Sequence, residues 1–295
     1  MYTNDIKIFE AVAAHGNFTR AAEATFTVQS NVTARIKSLE EEFGAELFDR
    51  SARKVELTAA GKILIQYLKQ IGHLMDEAKK ELTKSGQISG SLKIGCVETT
   101  MALKAPGIIS QFAEQYPEVD LEFKSAMRTE LINDVLNYKL DAAFVSAPIS
   151  NPELSQIVVK NERIAILTPA KHKKLEDTLR AVPLKIVVFE LGCIFRSRLE
   201  SFLSSKGIVE YKRITVNSLE GIINFVEAGL GISMLPEELV QEYYSTRKLN
   251  LFPLSKDLGT MTTLLVTRSG VPLSRAFNAF IDLYKASSES SGALV

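Results

Sequence analysis

A long amphipathic helix, predicted between residues 58 and 84, divides the chain into two parts of different character. Its apolar residues recur at steps of three and four, as in a heptad seam. The seam consists of Leu64, Leu68, Ile71, Met75, Ala78 and Leu82. Because an isolated helix would expose this stripe to water, the pattern favours pairing with a second copy of the chain; packing on its own domain is the alternative. Thr58 is placed to cap the helix, and the Ser- and Gly-rich residues 85–91 predict a hinge after it.

The residues before that helix hold short helical patterns separated by tight turns. Within residues 29–44, one face at helical spacing carries Val32, Ile36, Leu39 and Phe43, which predicts a helix with a buried apolar stripe. A shorter helix precedes it, and residues 47–58 predict a hairpin. Two helices joined by a tight turn suit a helix-turn-helix, with the hairpin beside it as a wing.

In a helix-turn-helix, the second helix enters the DNA major groove with its N-terminal residues foremost. Gln and Asn can pair with adenine and Arg with guanine, whereas Ser, Thr and Lys more often hold phosphates. The candidates for DNA contact, including basic residues of the hairpin, are Arg20, Gln29, Ser30, Asn31, Thr33, Arg35, Lys37, Arg50 and Arg53. An ordinary three-helix surface with solvated polar residues is the alternative.

From Leu92 onward, strand patterns alternate with helical ones, which predicts parallel sheets with helices on both faces. Ligands of open α/β sheets bind beyond the carboxyl ends of the strands. Candidates for contact with a small-molecule effector therefore follow four predicted strands: Glu98, Thr99, Thr100, Ser146, Phe195, Arg196, Asn217 and Ser218. The hydroxyls and the guanidinium of Arg196 favour an anionic ligand. The alternatives are that Thr99 caps a helix and that Arg196 pairs with Glu190 or Glu200.

Composition and the choice of motifs narrow the function classes. The 295 residues include 35 Lys and Arg and 35 Asp and Glu, which gives a formal net charge of zero. This balance argues against a protein that coats polyanions without specificity, but it does not exclude a small basic surface on one domain. No apolar run approaches the roughly 18–20 residues of a membrane span, and the N-terminus lacks the pattern of a secretion signal, so we expect a cytoplasmic protein. The sequence lacks a nucleophile elbow, a phosphate loop and a dinucleotide motif, which argues against an enzyme. Its three histidines are scattered and lack the spacing of metal ligands, so no metal or cofactor is predicted.

The two cysteines, Cys96 and Cys193, are too few for a disulfide framework and fit a reducing compartment. Both fall near the predicted cleft, in different lobes. Burial as small apolar residues is the expected state, and a redox pair is the alternative.

The chain resembles the LysR-type transcriptional regulators in segments that span most of its length. The N-terminal segments are FEAVAAHGNFTRAAEA and QSNVTARIKSLEEEFGAELFDRSARKVELTAAG, and the later ones are LKIGCVETT, GCIFRSRLE and NSLEGIINFVEAGLGISMLP. The resemblance implies a winged helix-turn-helix, a linker helix that dimerises, and a regulatory part of two Rossmann-like lobes resembling periplasmic binding proteins. Family members are commonly homotetramers that respond to a small effector in the cleft.

One position departs from the family pattern. The family's reading helix often carries Ser-Arg-Gln ahead of its central Ile, whereas Thr33, Ala34 and Arg35 precede Ile36 here. We therefore expect Arg35 to take over a base or phosphate contact that Ala34 cannot make.

These patterns together predict an α/β protein with an N-terminal all-α winged helix-turn-helix. The expected domains are a DNA-binding domain at 1–58, a linker helix and hinge at 59–90, and a regulatory domain at 91–295, with lobe I at about 91–161 and 268–295 and lobe II at about 162–267. The expected function is effector-controlled, sequence-specific transcription regulation. The expected partners are operator DNA, an anionic small molecule, further copies in a homodimer or homotetramer, and RNA polymerase. A small-molecule binding protein or an enzyme, with the N-terminal helices serving assembly only, is the alternative.

Overall fold

Helices and a short hairpin build the first of the two units into which the chain divides, Met1–Gly86 and Gln87–Val295. The computed structural model describes residues 3–50, 54–82, 88–103 and 105–290. The elements of the first unit are α1 (Thr3–His15), α2 (Phe18–Ala24), α3 (Gln29–Phe43), β1 (Phe48–Asp49), β2 (Glu56–Leu57) and α4 (Ala59–Leu82). Strands β1 and β2 pair antiparallel as the hairpin.

Side-chain caps determine where two of these helices begin. The side chain of Asn17 accepts the backbone N–H groups of Thr19 and Arg20 at 2.8 and 3.1 Å and starts α2. The hydroxyl of Thr58 accepts the N–H of Gly61 at 3.0 Å, so the predicted cap of α4 is confirmed. Each cap satisfies amides that have no partner inside the helix.

The apolar stripe of α3 lies in the core of the first unit. Val32, Ile36 and Leu39 are buried, as predicted, and share a cluster with Phe9 of α1 and Phe48 of β1. The prediction is wrong for Phe43, which is 47% exposed at the last residue of α3. The rings of Phe9 and Phe48 approach to 4.8 Å between centroids. Burying these side chains holds α3 with its polar side turned outward.

One face of α4 closes this core. Leu68 is fully buried and Leu64 nearly so, and both belong to the core cluster. The prediction that these two residues pair with a second copy is therefore wrong, and the alternative, packing on their own domain, holds for them. Met75 is partly buried, and the side chain of Leu82 lies outside the described residues. A neighbouring apolar stripe of α4 remains in water: Ile63, Tyr67, Ile71 and Leu74.

The second unit alternates strands with helices, as predicted. Its first lobe begins with β3 (Gly90–Cys96), α5 (Glu98–Leu103), α6 (Ala105–Gln115), β4 (Val119–Ser125), α7 (Arg128–Leu136), β5 (Ala142–Ser146) and β6 (Leu154–Pro169). The chain continues with α8 (Leu175–Leu179), β7 (Lys185–Val188), α9 (Ile194–Ser205), β8 (Lys212–Thr215), α10 (Leu219–Glu227), β9 (Ser233–Pro236), α11 (Glu237–Tyr243) and β10 (Leu249–Pro253). It ends with α12 (Lys256–Gly259), β11 (Thr260–Arg268) and α13 (Arg275–Ser290).

Lobe I is built on the parallel strands β4, β3 and β5, with β11 antiparallel to β5. In lobe II, β7 pairs parallel with β8, and Ile186 of β7 forms a parallel bridge to Ile232, just before β9. Strands β9 and β10 pair antiparallel with the second half of β6. The first half of β6 pairs with β11, so this long strand runs from one lobe into the other.

The sheets differ from the wholly parallel arrangement predicted from the alternation of elements. Strands β6 and β11 run antiparallel to each other because the chain crosses between the lobes through them, outward and back. The bounds predicted from the sequence place residues 162–267 in lobe II, whereas β11 lies beside β5 of lobe I. The strand pattern does not reveal which lobe a strand at the crossing joins.

Helices cover both faces of each sheet. In lobe I, Phe112 of α6 and Phe280 of α13 are buried in one cluster, and Leu131 of α7 is buried in another. In lobe II, Leu199 of α9 and Ile222 of α10 belong to separate clusters in the same way. With both faces covered by apolar contacts, the ends of the strands are where polar side chains can meet a ligand.

Candidate functional site

Helix α3 presents a polar outer face in the helix-turn-helix formed with α2. The exposed or partly exposed residues of this face are Gln29, Ser30, Asn31, Thr33, Ala34 and Lys37. Arg20 of α2 is exposed as well. Because Ala34 has a short side chain, a bound molecule can approach the helix backbone closely at the middle of this face.

Hydrogen bonds orient the polar side chains at the start of α3. The Thr19 hydroxyl donates to Oε1 of Gln29 at 3.2 Å, and Nδ2 of Asn31 donates to the Thr27 hydroxyl at 2.9 Å. The Thr33 hydroxyl donates to the backbone carbonyl of Gln29 at 3.0 Å. These bonds restrict the rotamers of groups that would read DNA, which lowers the entropy lost on binding.

Two of the predicted DNA-contacting arginines face carboxylates of their own unit. Nη1 of Arg35 lies 3.6 Å from Oδ1 of the buried Asp5, which joins α3 to α1. Nη2 of Arg50 lies 2.7 Å from Oε2 of Glu40, which joins the hairpin to α3. Both guanidinium groups therefore have a structural partner as well as an exposed side. Arg53 lies outside the described residues.

A cavity of about 250 Å³ opens in the second unit at the carboxyl ends of its strands. Its wall includes most of the residues chosen from strand ends: Glu98, Thr99, Thr100, Ser146, Phe195 and Asn217. Thr99 and Ser146 are buried. Residues of both lobes line the cavity. Those at the ends of β3 and β5 and at the start of α7 belong to lobe I, and those at the start of α9 belong to lobe II.

Two of the chosen residues lie away from this wall. Nε of Arg196 donates to Oε1 of Glu200 at 3.2 Å, one turn along α9. The alternative prediction, that Arg196 pairs with a nearby glutamate, is therefore confirmed for Glu200. The hydroxyl of Ser218 accepts the N–H of Gly221 at 3.1 Å and caps α10. Both side chains stabilise the helix to which they belong. Arg196 pairs with the residue four positions later, and Ser218 satisfies a backbone amide that has no partner at the start of its helix.

Arg128 is the cavity cation that the sequence interpretation missed. It is the first residue of α7, directly after β4, and it lines the cavity wall. Its guanidinium donates to the carbonyl of Pro148, and burial lowers its pKa. The signal was present in the sequence, because the rule that ligands bind beyond strand ends applies to β4 as it does to β3 and β5.

Glu98 connects the two lobes across the cavity. Its carboxylate accepts the backbone N–H of Leu219, the first residue of α10, at 2.9 Å. Ala102, on the same short helix α5, packs against an apolar cluster of lobe II. A carboxylate at a helix N-terminus is favoured by the helix dipole, so Glu98 stabilises contact between the lobes at this position.

The two cysteines occupy environments that keep their thiols protonated. Burial raises the pKa of Cys96 to about 12, and its Sγ lies 3.7 Å from Sδ of Met101. Burial also raises the pKa of Cys193, against the smaller opposing effect of the Arg196 and Phe195 amides. Since the thiolate is the reactive form, this chemistry disfavours a redox pair.

Cys96 is therefore expected to react very slowly with an alkylating reagent. At pH 8 a thiol with a pKa of about 12 is ionised roughly a thousandfold less than an ordinary cysteine, and its ionised fraction rises tenfold per pH unit until the pKa is reached. Iodoacetamide labelling of the folded chain, followed by mass spectrometry of the Cys96 peptide, measures this rate. The urea-unfolded chain, in which Cys96 is exposed to the reagent, is the control. Labelling of Cys96 as fast in the folded chain as in the unfolded one would contradict the prediction and favour a redox pair.

Among the described residues, no helix combines the length and apolar character needed to cross a membrane. Nor does the described part of the chain gather three His, Cys, Asp or Glu side chains as a metal site requires.

Comparison with known proteins matches both units to one family. Residues 3–62 match the bacterial regulatory helix-turn-helix protein of the lysR family, and residues 85–289 match the LysR substrate binding domain. The chain is 37% identical over 284 residues to the HTH-type transcriptional regulator YusT of Bacillus subtilis (strain 168), covering 96% of this chain and 95% of the relative. It is 36% identical over 281 residues to the HTH-type transcriptional regulator CzcR of Bacillus anthracis, covering 95% of this chain and 96% of that relative.

Solved structures support the same fold. Full-length OxyR of Pseudomonas aeruginosa matches with a TM-score of 0.72 at 22% identity, covering 97% of this chain and 95% of that one. Full-length CbnR in complex with its target DNA matches with a TM-score of 0.67 at 18% identity, covering 97% and 100%. The chain therefore belongs to the LysR family of transcriptional regulators, with a helix-turn-helix for DNA followed by an effector-binding α/β domain, and it is not an enzyme.

Proposed function

We propose that this regulator reads an operator of two half-sites as a dimer and responds to a small organic anion in the cavity of its second unit. The observation that carries the effector assignment is the position of Arg128 on the wall of the cavity of about 250 Å³. The exposed polar face of α3 supports the assignment of the DNA-reading surface, which we take to include Arg20, Gln29, Ser30 and Thr33.

The charge of the proposed effector follows from Arg128. Within the described residues its guanidinium forms no ion pair, and burial has already removed part of its hydration. A partly desolvated cation gains more from an anion than a hydrated one does, and Arg can hold a carboxylate or phosphate with two parallel bonds. Two carboxylates also line the cavity, Glu98, which accepts the Leu219 amide, and Glu190. Arg128 is the one Lys or Arg among the described lining residues, so it is the group that can neutralise an anionic ligand.

The body of the proposed effector is apolar. Val97, Met127, Phe189, Ile194 and Met261 line the cavity together with the polar groups. Such a wall favours a molecule that buries a hydrocarbon or ring portion while a few polar groups orient it. We therefore propose a small anion with an apolar body, its charge at Arg128.

A thermal-shift screen of the full chain tests this assignment. Carboxylates, phosphates and sulfonates are compared with amines and neutral amides of the same carbon skeletons. We expect an anion to raise the melting temperature and to alter binding of the chain to operator DNA. An amine that stabilises the chain when its matched carboxylate does not would contradict the assignment.

The proposed dimer uses the second stripe of α4. Ile63 and Tyr67 are 62% and 59% exposed, and Ile71 and Leu74 continue the stripe at helical spacing. Since water-exposed apolar stripes on long helices are covered by a partner helix, we propose a second copy of the chain as the occupant. We further propose that two dimers form a homotetramer, that the protein acts in the cytoplasm where its operator is, and that RNA polymerase responds to its placement.

Arg35 provides a specific test of the DNA-reading surface. Its five N–H donors allow it to pair with Asp5 and to reach a DNA phosphate from its exposed side. We expect Arg35→Ala to weaken binding about tenfold on all sequences and to lower the slope of log affinity against log salt by about one. Arg35→Lys, which retains the charge, should keep the slope. Unchanged affinity and slope in Arg35→Ala would restrict Arg35 to its contact with Asp5.

A further inference from the structure

The turn between α2 and α3 closes with an uncommon residue. The N–H of Phe26 donates to the carbonyl of Glu23 at 3.2 Å, and the N–H of Thr27 donates to the carbonyl of Ala22 at 2.9 Å. This pair of bonds is a Schellman motif, whose left-handed residue is usually Gly or sometimes Asn. Here that residue is Phe26, with φ at +52°. A residue with a Cβ crowds the backbone in this conformation, and an aromatic one does so without a compensating polar contact.

The ring gains nothing from its own unit in return. Phe26 is 98% exposed, so it contributes almost no buried apolar area. Two residues later, Val28 occupies the N-cap of α3, where Ser, Thr, Asp or Asn would supply a bond, and it makes no side-chain cap. Val28 is 64% exposed. Phe26 and Val28 thus each lower the stability of the fold relative to the residue usual at that position, and each exposes an apolar side chain to water.

The position of these two side chains identifies what could cover them. They come directly before Gln29, the first residue of α3, and the N-terminal residues of this helix enter the major groove in a helix-turn-helix. Two side chains form a patch far smaller than the roughly 800 Å² per partner of a stable protein–protein interface. DNA, in contrast, offers apolar groups of matching size, the thymine methyl in the major groove and the edge of the deoxyribose.

We propose that Phe26, supported by Val28, makes an apolar contact with operator DNA beside the bases read by α3, and that it selects for thymine there. This inference rests on the proposed function in one respect, since it requires that α3 reads DNA. It adds a contact that neither charge nor hydrogen-bonding capacity would reveal.

The experiment begins by selecting duplexes from a randomised library with the full wild-type chain. Binding of the selected duplex is then measured for the wild type, Phe26→Gly, Phe26→Tyr and Phe43→Ala. Phe43→Ala is the matched control, because Phe43 is an exposed phenylalanine at the opposite end of α3. We expect Phe26→Gly to bind about tenfold more weakly and to melt at a higher temperature, while Phe26→Tyr and Phe43→Ala bind within about twofold of wild type.

Replacing single thymines of the selected duplex with uracil removes only the methyl group. At the contacted position this change should weaken wild-type binding about fourfold and leave Phe26→Gly unaffected. If Phe26→Gly binds weakly but uracil affects both proteins equally, the contact is with deoxyribose and the selection for thymine is refuted. Wild-type affinity in Phe26→Gly overturns the inference and leaves the proposed function standing. Failure of the wild-type chain to select any duplex removes both.

Discussion

Replacing both Tyr67 and Ile71 with aspartate should convert the protein to a monomer and lower its affinity for a two-half-site operator at least about a hundredfold. The two side chains belong to the exposed stripe of α4, so the substitutions place charge in the proposed dimer contact without disturbing the core. A dimer binds its second half-site from an effective concentration set by the first, and a monomer loses that advantage.

Sedimentation analysis gives the mass, and titration against duplexes with one or two half-sites gives the affinity. Binding to a single half-site should be retained, which shows that the helix-turn-helix is intact. Lys62→Asp, also an exposed change on α4, is the control and should remain a dimer. Leu68→Asp should instead unfold the first unit, because Leu68 is fully buried in its core. A double variant that keeps both its dimer mass and its operator affinity would contradict the proposed contact.

Replacing Arg128 with alanine should weaken binding of the effector anion about a hundredfold, because the anion then loses its charged partner inside a partly dehydrated cavity. Arg196→Ala is the matched control: the same side chain is removed one lobe away, where it pairs with Glu200. We expect Arg196→Ala to keep the affinity for the anion and to lose only part of its thermal stability.

Calorimetric titration with the anion found in the screen measures both variants. The full chain is used, so that the operator-binding response can be followed in the same samples. If Arg196→Ala loses the anion and Arg128→Ala keeps it, the assignment of the cavity cation is wrong. If neither variant changes the affinity, the anion binds elsewhere and the proposed effector site fails.

Local patterns in the sequence were sufficient to predict several features of the fold and of the cavity. The stripe of Val32, Ile36 and Leu39 is buried because helical periodicity alone places these residues on one face. Thr58 caps α4 because a hydroxyl at that position meets the free amides of the first turn. Glu98 and Ser146 line the cavity because the ends of neighbouring parallel strands meet at one edge of a sheet.

Tertiary structure decided the features that depend on which groups meet across the fold. Helix α4 has two adjacent apolar stripes, and only the position of α1 and α3 determines that Leu64 and Leu68 are covered while Tyr67 is not. Arg196 is withdrawn from the cavity by Glu200, whereas Arg128 is brought to it by the end of β4. Periodicity and capping act within a few residues of the chain, so the sequence by itself determined the helices of the first unit, the polar outer face of α3 and the strand ends that line the cavity. The choice of covered stripe and cavity cation depends on residues distant in the chain, so the folded structure alone decided it.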